Sequence, residues 1–258
     1  AWPQTMVQML VRQGFRVVRF DNRDIGLSQG FDAAGVPNMA LAGLRHAMHL
    51  PVHSPYSLAD MARDAQGVLD ALDIEQAHVC GASMGGMIAQ HLAAMAPERV
   101  ASLTLMMTTS GSRRLSQPSW RVRRALMSRP MKPGADAAVD WIIQVLHLIG
   151  SPAYPSDPQA LRARALESVQ RAWHPSGSAR QLLAVVADGD RSALLPHIQA
   201  PTLVIHGVDD PLVPVACGED LAQRIADARA DFIPGMGHDL PEELLPRFAQ
   251  GIVDNARR

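Results

Sequence analysis

The chain has 258 residues, of which 47% are hydrophobic and 19% charged, and its formal net charge is −1. That length supports one or two domains with a full hydrophobic core, and the composition excludes a disordered or fibrous chain. So balanced a charge gives no global field to attract nucleic acid or an anionic membrane, and no apolar run reaches the length of a transmembrane helix.

Trp2, Met6, Met9 and Leu10 stand at helical spacing and predict a helix over 2–13, closed by Gly14. Phe15 to Asp21 predicts a strand, and Asn22 to Gly30 a polar turn. Ser57 and Asp60 open an amphipathic helix over 57–72, with Leu58, Met61, Ala65, Leu69 and Leu72 on one face. A short strand through Val79 and Cys80 runs into Gly81-Ala82-Ser83-Met84-Gly85, and Met87, Ile88, His91, Leu92 and Met95 leave it at helical spacing. Val100 to Met107 predicts another strand.

Between 111 and 198 the alternation stops, and helical patterns among prolines, with Trp120, Trp141 and Trp173, predict an inserted helical cap. Pro201 to Gly207 resumes the strand signal, followed by a helix over 215–228, a last strand from Ala230 to Ile233 and a helix over 241–256. Strands alternating with helices predict an α/β class, a mostly parallel sheet covered on both faces. The core is then 1–110 plus 199–258, and the cap 111–198.

The pattern G-x-S-x-G between a strand and a helix is how a chain exposes a nucleophilic serine. Ser83 is the candidate nucleophile, and the N–H of Met84 faces a developing oxyanion. The competing role for Ser83 is a plain helix cap. A serine hydroxyl needs a general base, and the base needs a carboxylate to orient it. In a parallel sheet both belong at carboxyl ends of strands. Asp209 and Asp210 follow the strand 202–206, and His238 stands in the glycine-flanked loop after the last strand. We take Asp210 and His238 as acid and base.

The order Ser83, Asp210, His238, together with Phe20-Asp21-Asn22-Arg23-Asp24-Ile25-Gly26-Leu27-Ser28, Gly81-Ala82-Ser83-Met84-Gly85-Gly86, His206-Gly207-Val208-Asp209-Asp210 and Ile233-Pro234-Gly235-Met236-Gly237-His238, resembles the α/β-hydrolases. The resemblance spans nearly the whole chain and is strongest to the serine esterase branch that includes aclacinomycin methylesterase-like enzymes. The family pattern G-x-x-D-x-x-x-P falls on Gly207, Asp210 and Pro214 and favours Asp210 over Asp209. The resemblance implies a cofactor-free and metal-free carboxylesterase acting on a small-molecule ester, and the two cysteines, outside any disulfide framework, predict a cytoplasmic home. Lactonase, perhydrolase and carbon–carbon bond hydrolase chemistry use the same three groups, and a non-catalytic binder on this fold is the alternative of another class.

The resemblance also implies three strands before the first helix, the third lying between the strands at 15–21 and 78–82. The loop after that third strand carries the second oxyanion donor, so these strands are expected to be missing from the chain. A chain truly starting at Ala1 is then expected to be poorly stable and to retain only the Met84 N–H in its oxyanion hole.

Other residues carry blander readings. His46, His49 and His53 are interrupted by Pro51 and joined by no acid or cysteine, so we read surface groups rather than a metal site. Arg113 to Lys132 holds six arginines and one lysine without an acid; a solvated face is the reading, with attraction of carboxylate substrates as the alternative. Arg23 and Asp24 are read as structural, as are His78 and His206. Cys80 and Cys217 make no disulfide framework and fit a reducing compartment.

Overall fold

The computed structural model of the chain describes residues 2–128 and 134–258. Four parallel strands, β1 (Ala77–Ala82), β2 (Val100–Met106), β3 (Thr202–Gly207) and β4 (Ala228–Ile233), pair in the order β1-β2-β3-β4. Helices cover both faces, as the alternation predicts. On one side, α3 (Leu58–Ala71), α4 (Met84–Met95) and α9 (Val215–Arg224) pack Leu58, Met61, Ile88, Leu92 and Leu221 against Leu103, Leu105 and Val204. On the other, α1 (Gln4–Arg12) and α10 (Leu245–Ala256) bring Met6, Phe248 and Ile252 against Met106 and Ile205. Successive strand residues face opposite sides, so Leu105 and Met106 serve different cores. The predicted capping box opens α3: Ser57 Oγ accepts from the Asp60 N–H at 3.1 Å, and the Asp60 carboxylate accepts from the Ser57 N–H at 2.9 Å.

The segment 15–21 is not a strand among the described residues. It joins no ladder, and Phe15 makes an edge-to-face contact with His78 of β1, ring centroids 5.6 Å apart. Strand propensity cannot act without a neighbour offering backbone donors and acceptors, and β1 pairs only with β2 among the described strands. One helix boundary also moves. The helix predicted to 228 ends at Arg224 because the chain turns through Asp227, at φ 55°, into β4. A helix that the sequence reading did not foresee, α2 (Met39–Ala47), is capped by Asn38, whose side chain accepts from the Leu41 N–H at 3.0 Å.

Among the described residues four α-helices lie between β2 and β3: α5 (Trp120–Met127), α6 (Ala135–Ile149), α7 (Pro158–Arg171) and α8 (Pro175–Asp188). α6 and α7 share a small core of Ala138, Val139, Ala165 and Val169. Arg129 and Lys132 of the basic stretch lie outside the described residues. No helix among the described residues is long and apolar enough to cross a membrane.

A buried ion pair fastens α8 to the turn after 15–21. The Arg180 guanidinium donates to both Asp24 oxygens at 2.7 Å, to Gly35 O at 2.7 Å and to Asp32 at 2.9 Å, while Tyr56 and the Phe31 N–H also donate to Asp24 at 2.7 Å. Arg180 and Asp24 are both 1% exposed, so every charged oxygen must be satisfied within the protein. A Cβ on Gly177 would fall on the Asp24 carbonyl, which lets α8 approach this closely. Arg23 pairs instead with Asp64 of α3 at 2.6 Å. Both residues are therefore structural, as expected.

Burial alone would raise the Asp24 carboxyl, but the hydrogen bonds from Arg180, Phe31 N–H and Tyr56 outweigh it and bring it down to about 2 from 3.8. A folded-state value below the unfolded one contributes stability above the unfolded value and loses it as pH falls through the folded one. The expected result is about 2 kcal/mol of stability present above pH ~4 and lost progressively toward pH ~2, read from urea unfolding at a series of pH values.

Candidate active site

β1 delivers Ser83 at its carboxyl end, and the chain reverses there into α4. The Ser83 backbone sits at φ 53°, ψ −120°, a conformation that a side chain other than glycine rarely adopts. Four bonds hold it: the Ser83 N–H donates to Met106 O at 2.8 Å, and Ser83 O accepts from Thr108 Oγ1 at 2.7 Å and from the Gly86 and Met87 N–H groups at 2.9 and 3.2 Å. Ser83 is formally the cap of α4 yet makes no capping bond with its side chain. That removes the helix-cap account and leaves the hydroxyl free for another partner.

The glycines of the turn divide their work differently from the motif's spelling. A Cβ on Gly81 would land on the Gly85 carbonyl, and one on Gly86 would lie 2.6 Å from Thr108 Cγ2, whereas nothing approaches Gly85 within 4 Å. Gly81 and Gly86 are thus required sterically, while Gly85 supplies the carbonyl over which Gly81 closes.

Ser83 Oγ lies 3.0 Å from His238 Nε2, and His238 Nδ1 lies 2.7 Å from Asp210 Oδ2. The other Asp210 oxygen accepts the Leu212 and Val213 N–H groups, both at 2.8 Å. Residues 83, 210 and 238 therefore meet in one unbroken chain of hydrogen bonds. Asp209 turns away and accepts from the Gly235 N–H at 2.7 Å, tying the loop after β3 to the loop after β4. The Met84 N–H belongs to the first turn of α4, whose leading N–H groups have no acceptor within the helix.

Residues that sequence reasoning missed support the imidazole from the inserted helices. The His238 N–H donates to Ile149 O at 2.7 Å, and the Gly237 N–H donates to Ser151 Oγ at 2.8 Å. Ser151 Oγ in turn donates to the Asp239 carboxylate. Burial pushes the Asp239 carboxyl up, against the Ser151 hydrogen bonds that lower it. No local pattern marks Ser151, since its partners stand almost ninety residues on; only the small, turn-forming run Gly150-Ser151-Pro152 hinted at a special loop.

His206 is only partly satisfied, contrary to expectation. Its Nε2 lies 2.7 Å from Val213 O, but the buried Nδ1 has no partner. Burial pushes its imidazole down. Held neutral, His206 steadies the Val213 peptide whose N–H serves Asp210. His78 is satisfied, with Nδ1 2.9 Å from Ser102 Oγ. Burial pushes the Cys80 thiol up to about 12, so it packs as a thiol beside Met106. Among the described residues no three His, Cys, Asp or Glu side chains are grouped to hold a metal ion.

The α/β-hydrolase fold family matches residues 1–243. Rhodomycin D methylesterase DauP of Streptomyces sp. (strain C5) is 30% identical, the match covering 100% of this chain and 86% of that protein. The 2-hydroxy-6-oxononadienedioate/2-hydroxy-6-oxononatrienedioate hydrolase of Paraburkholderia xenovorans (strain LB400) is 31% identical over 75% of this chain and 66% of its own. The crystal structure of the enol-lactonase from Burkholderia xenovorans LB400 superposes with a TM-score of 0.71 at 26% identity, covering 98% of this chain and 86% of that one.

Proposed function

Because the chain belongs to the α/β-hydrolase fold family, whose similar members above are hydrolases, we propose that it is a serine hydrolase of carboxylic esters with Ser83, His238 and Asp210 as its catalytic groups. Ser83 Oγ attacks the ester carbonyl while His238 takes its proton, Asp210 holds the imidazole by its Nδ1–H and stabilises the imidazolium, and the Met84 N–H donates to the oxyanion. His238 then protonates the leaving alcohol. It next activates the water that releases the acid from the acyl-enzyme. The reaction needs no cofactor or metal, and helices α5–α8 act as the cap over a small-molecule substrate. Both cysteines are free, which suits a reducing compartment such as the cytoplasm.

The observation that carries this reading is the hydrogen-bonded line from Ser83 Oγ through His238 to Asp210. A fluorophosphonate probe tests it: labelling of the native chain that disappears in Ser83→Ala supports the reading, and a folded chain that takes no label overturns it in favour of a binder. Relatives named as an enol-lactonase and a carbon–carbon bond hydrolase favour a second reading, in which the acyl donor is a lactone or a vinylogous diketone. Kinetics on p-nitrophenyl esters beside an enol-lactone and a ring-cleavage product separate the two.

Ser151 provides a check on how His238 is held. Ser151→Ala leaves the Gly237 N–H and the Asp239 carboxyl short of a partner, and the expected result is a fall of roughly ten- to 100-fold in kcat with KM nearly unchanged. Ser151→Thr, which keeps the hydroxyl, should recover most of it.

A further inference from the structure

The surface formed by α2 and the start of α5 is inverted relative to a helix packed on a water-soluble core. Ala42 is buried and Arg45 half-buried, whereas Leu41, Leu44 and Met48 turn outward at 51%, 57% and 59% exposed. Their spacing places all three on one stripe of the helix. Trp120, the first residue of α5, is 71% exposed.

The two helices belong to one surface. The Arg113 guanidinium donates to His49 Nδ1, and the His46 imidazole is pushed down by burial and then by the nearby charges of Arg113, His49 and Arg123. No Asp or Glu occurs from 33 to 59 or from 111 to 128, while 111–128 contains five arginines. Asp32, the nearest preceding acid, bonds Arg180. Beside α5 opens a hollow of about 620 Å³ whose lining among the described residues is Trp120, Arg123, Arg124 and Ser128. The net charge of −1 averages over this patch and hides it.

We propose that this face docks on an anionic lipid bilayer. Leu41, Leu44, Met48 and Trp120 enter the headgroup region, and Arg113, Arg123 and Arg124 pair with lipid phosphates. Charge complementarity selects this occupant: a second copy meeting the face across a two-fold axis would set arginines against arginines. An isolated stripe of this size on a monomer's surface calls for an apolar partner, and a row of arginines beside it calls for an acidic one. A bilayer rich in anionic lipid offers both in one plane.

The test is co-sedimentation with vesicles of equal parts phosphatidylglycerol and phosphatidylcholine, against vesicles of phosphatidylcholine alone. Binding to the first that falls as salt is raised, weakens at least tenfold in Leu44→Glu and about fivefold for each of Arg123→Gln and Arg124→Gln supports the proposal. A blue shift of tryptophan emission on binding, reduced in Trp120→Phe, places α5 at the interface. Thermal melting of the full chain checks that each exposed substitution leaves the fold intact. The native chain remaining in the supernatant at millimolar anionic lipid, or Leu44→Glu pelleting like the native chain, overturns it. So does light scattering that finds a dimer which Leu44→Glu splits, because the face is then an interface between copies. Ser83→Ala should bind vesicles as the native chain does, so the outcome is independent of ester hydrolysis.

Discussion

Replacing Ser83 by alanine is expected to lower kcat/KM toward a p-nitrophenyl ester by about 10⁴- to 10⁶-fold while leaving the thermal melt within ~2 °C of the native one. The size of the fall follows from losing the atom that, on the proposed mechanism, forms the acyl-enzyme. What remains is oxyanion stabilisation and substrate positioning, which act on attacking water instead. The unchanged melt follows because Ser83 Oγ makes no capping bond to α4, so its removal takes no support from the helix. His238→Ala should lose nearly as much activity, and the double variant little more than either, because the two groups act on one proton. A Ser83→Ala chain retaining a tenth of native activity would mean that another group performs the chemistry.

Removing Arg180 is expected to have the largest effect on stability. Arg180→Ala leaves a buried carboxylate without its charge partner, held only by the Tyr56 hydroxyl and the Phe31 N–H, and breaking such a pair from one side costs about 3–5 kcal/mol. For a chain of this length that corresponds to a fall in Tm of roughly 6–20 °C, measurable by scanning calorimetry. Adding Asp24→Asn to Arg180→Ala should then cost less than Asp24→Asn does alone, since the stranded charge is gone. Equal and additive losses would show that the two side chains contribute independently of each other. Because the pair joins α8 to the turn at Asp24, the first effect of its loss should be loosening of the inserted helices rather than of the sheet.

The parts of this structure legible in the sequence are those set by local rules. Short apolar runs announced β2 and β3, and period-3.6 patterning with Ser57 and Asp60 announced α3. The glycines around Ser83 announced the turn, and strand ends followed by Asp210 and His238 announced its companions. What stayed hidden depends on contacts distant in sequence. The segment 15–21 has the composition of a strand but no ladder neighbour among the described residues, and composition cannot report a neighbour. α2 escaped notice because its apolar residues face outward, where amphipathic patterning carries no information about the core. Arg180 reads as an ordinary helix-surface arginine until its partner, 156 positions away, is known. The motif itself misled on one glycine: Gly86, outside the five-residue pattern, meets Thr108, while Gly85, inside it, meets nothing.

The backbone at His238, the proposed general base, hangs from the end of α6, through the His238 N–H to Ile149 O and the Gly237 N–H to Ser151. Access and competence are therefore not separately adjustable. On the proposed mechanism, a displacement of α6 large enough to break these two bonds would shift the imidazole relative to Ser83 and lower turnover.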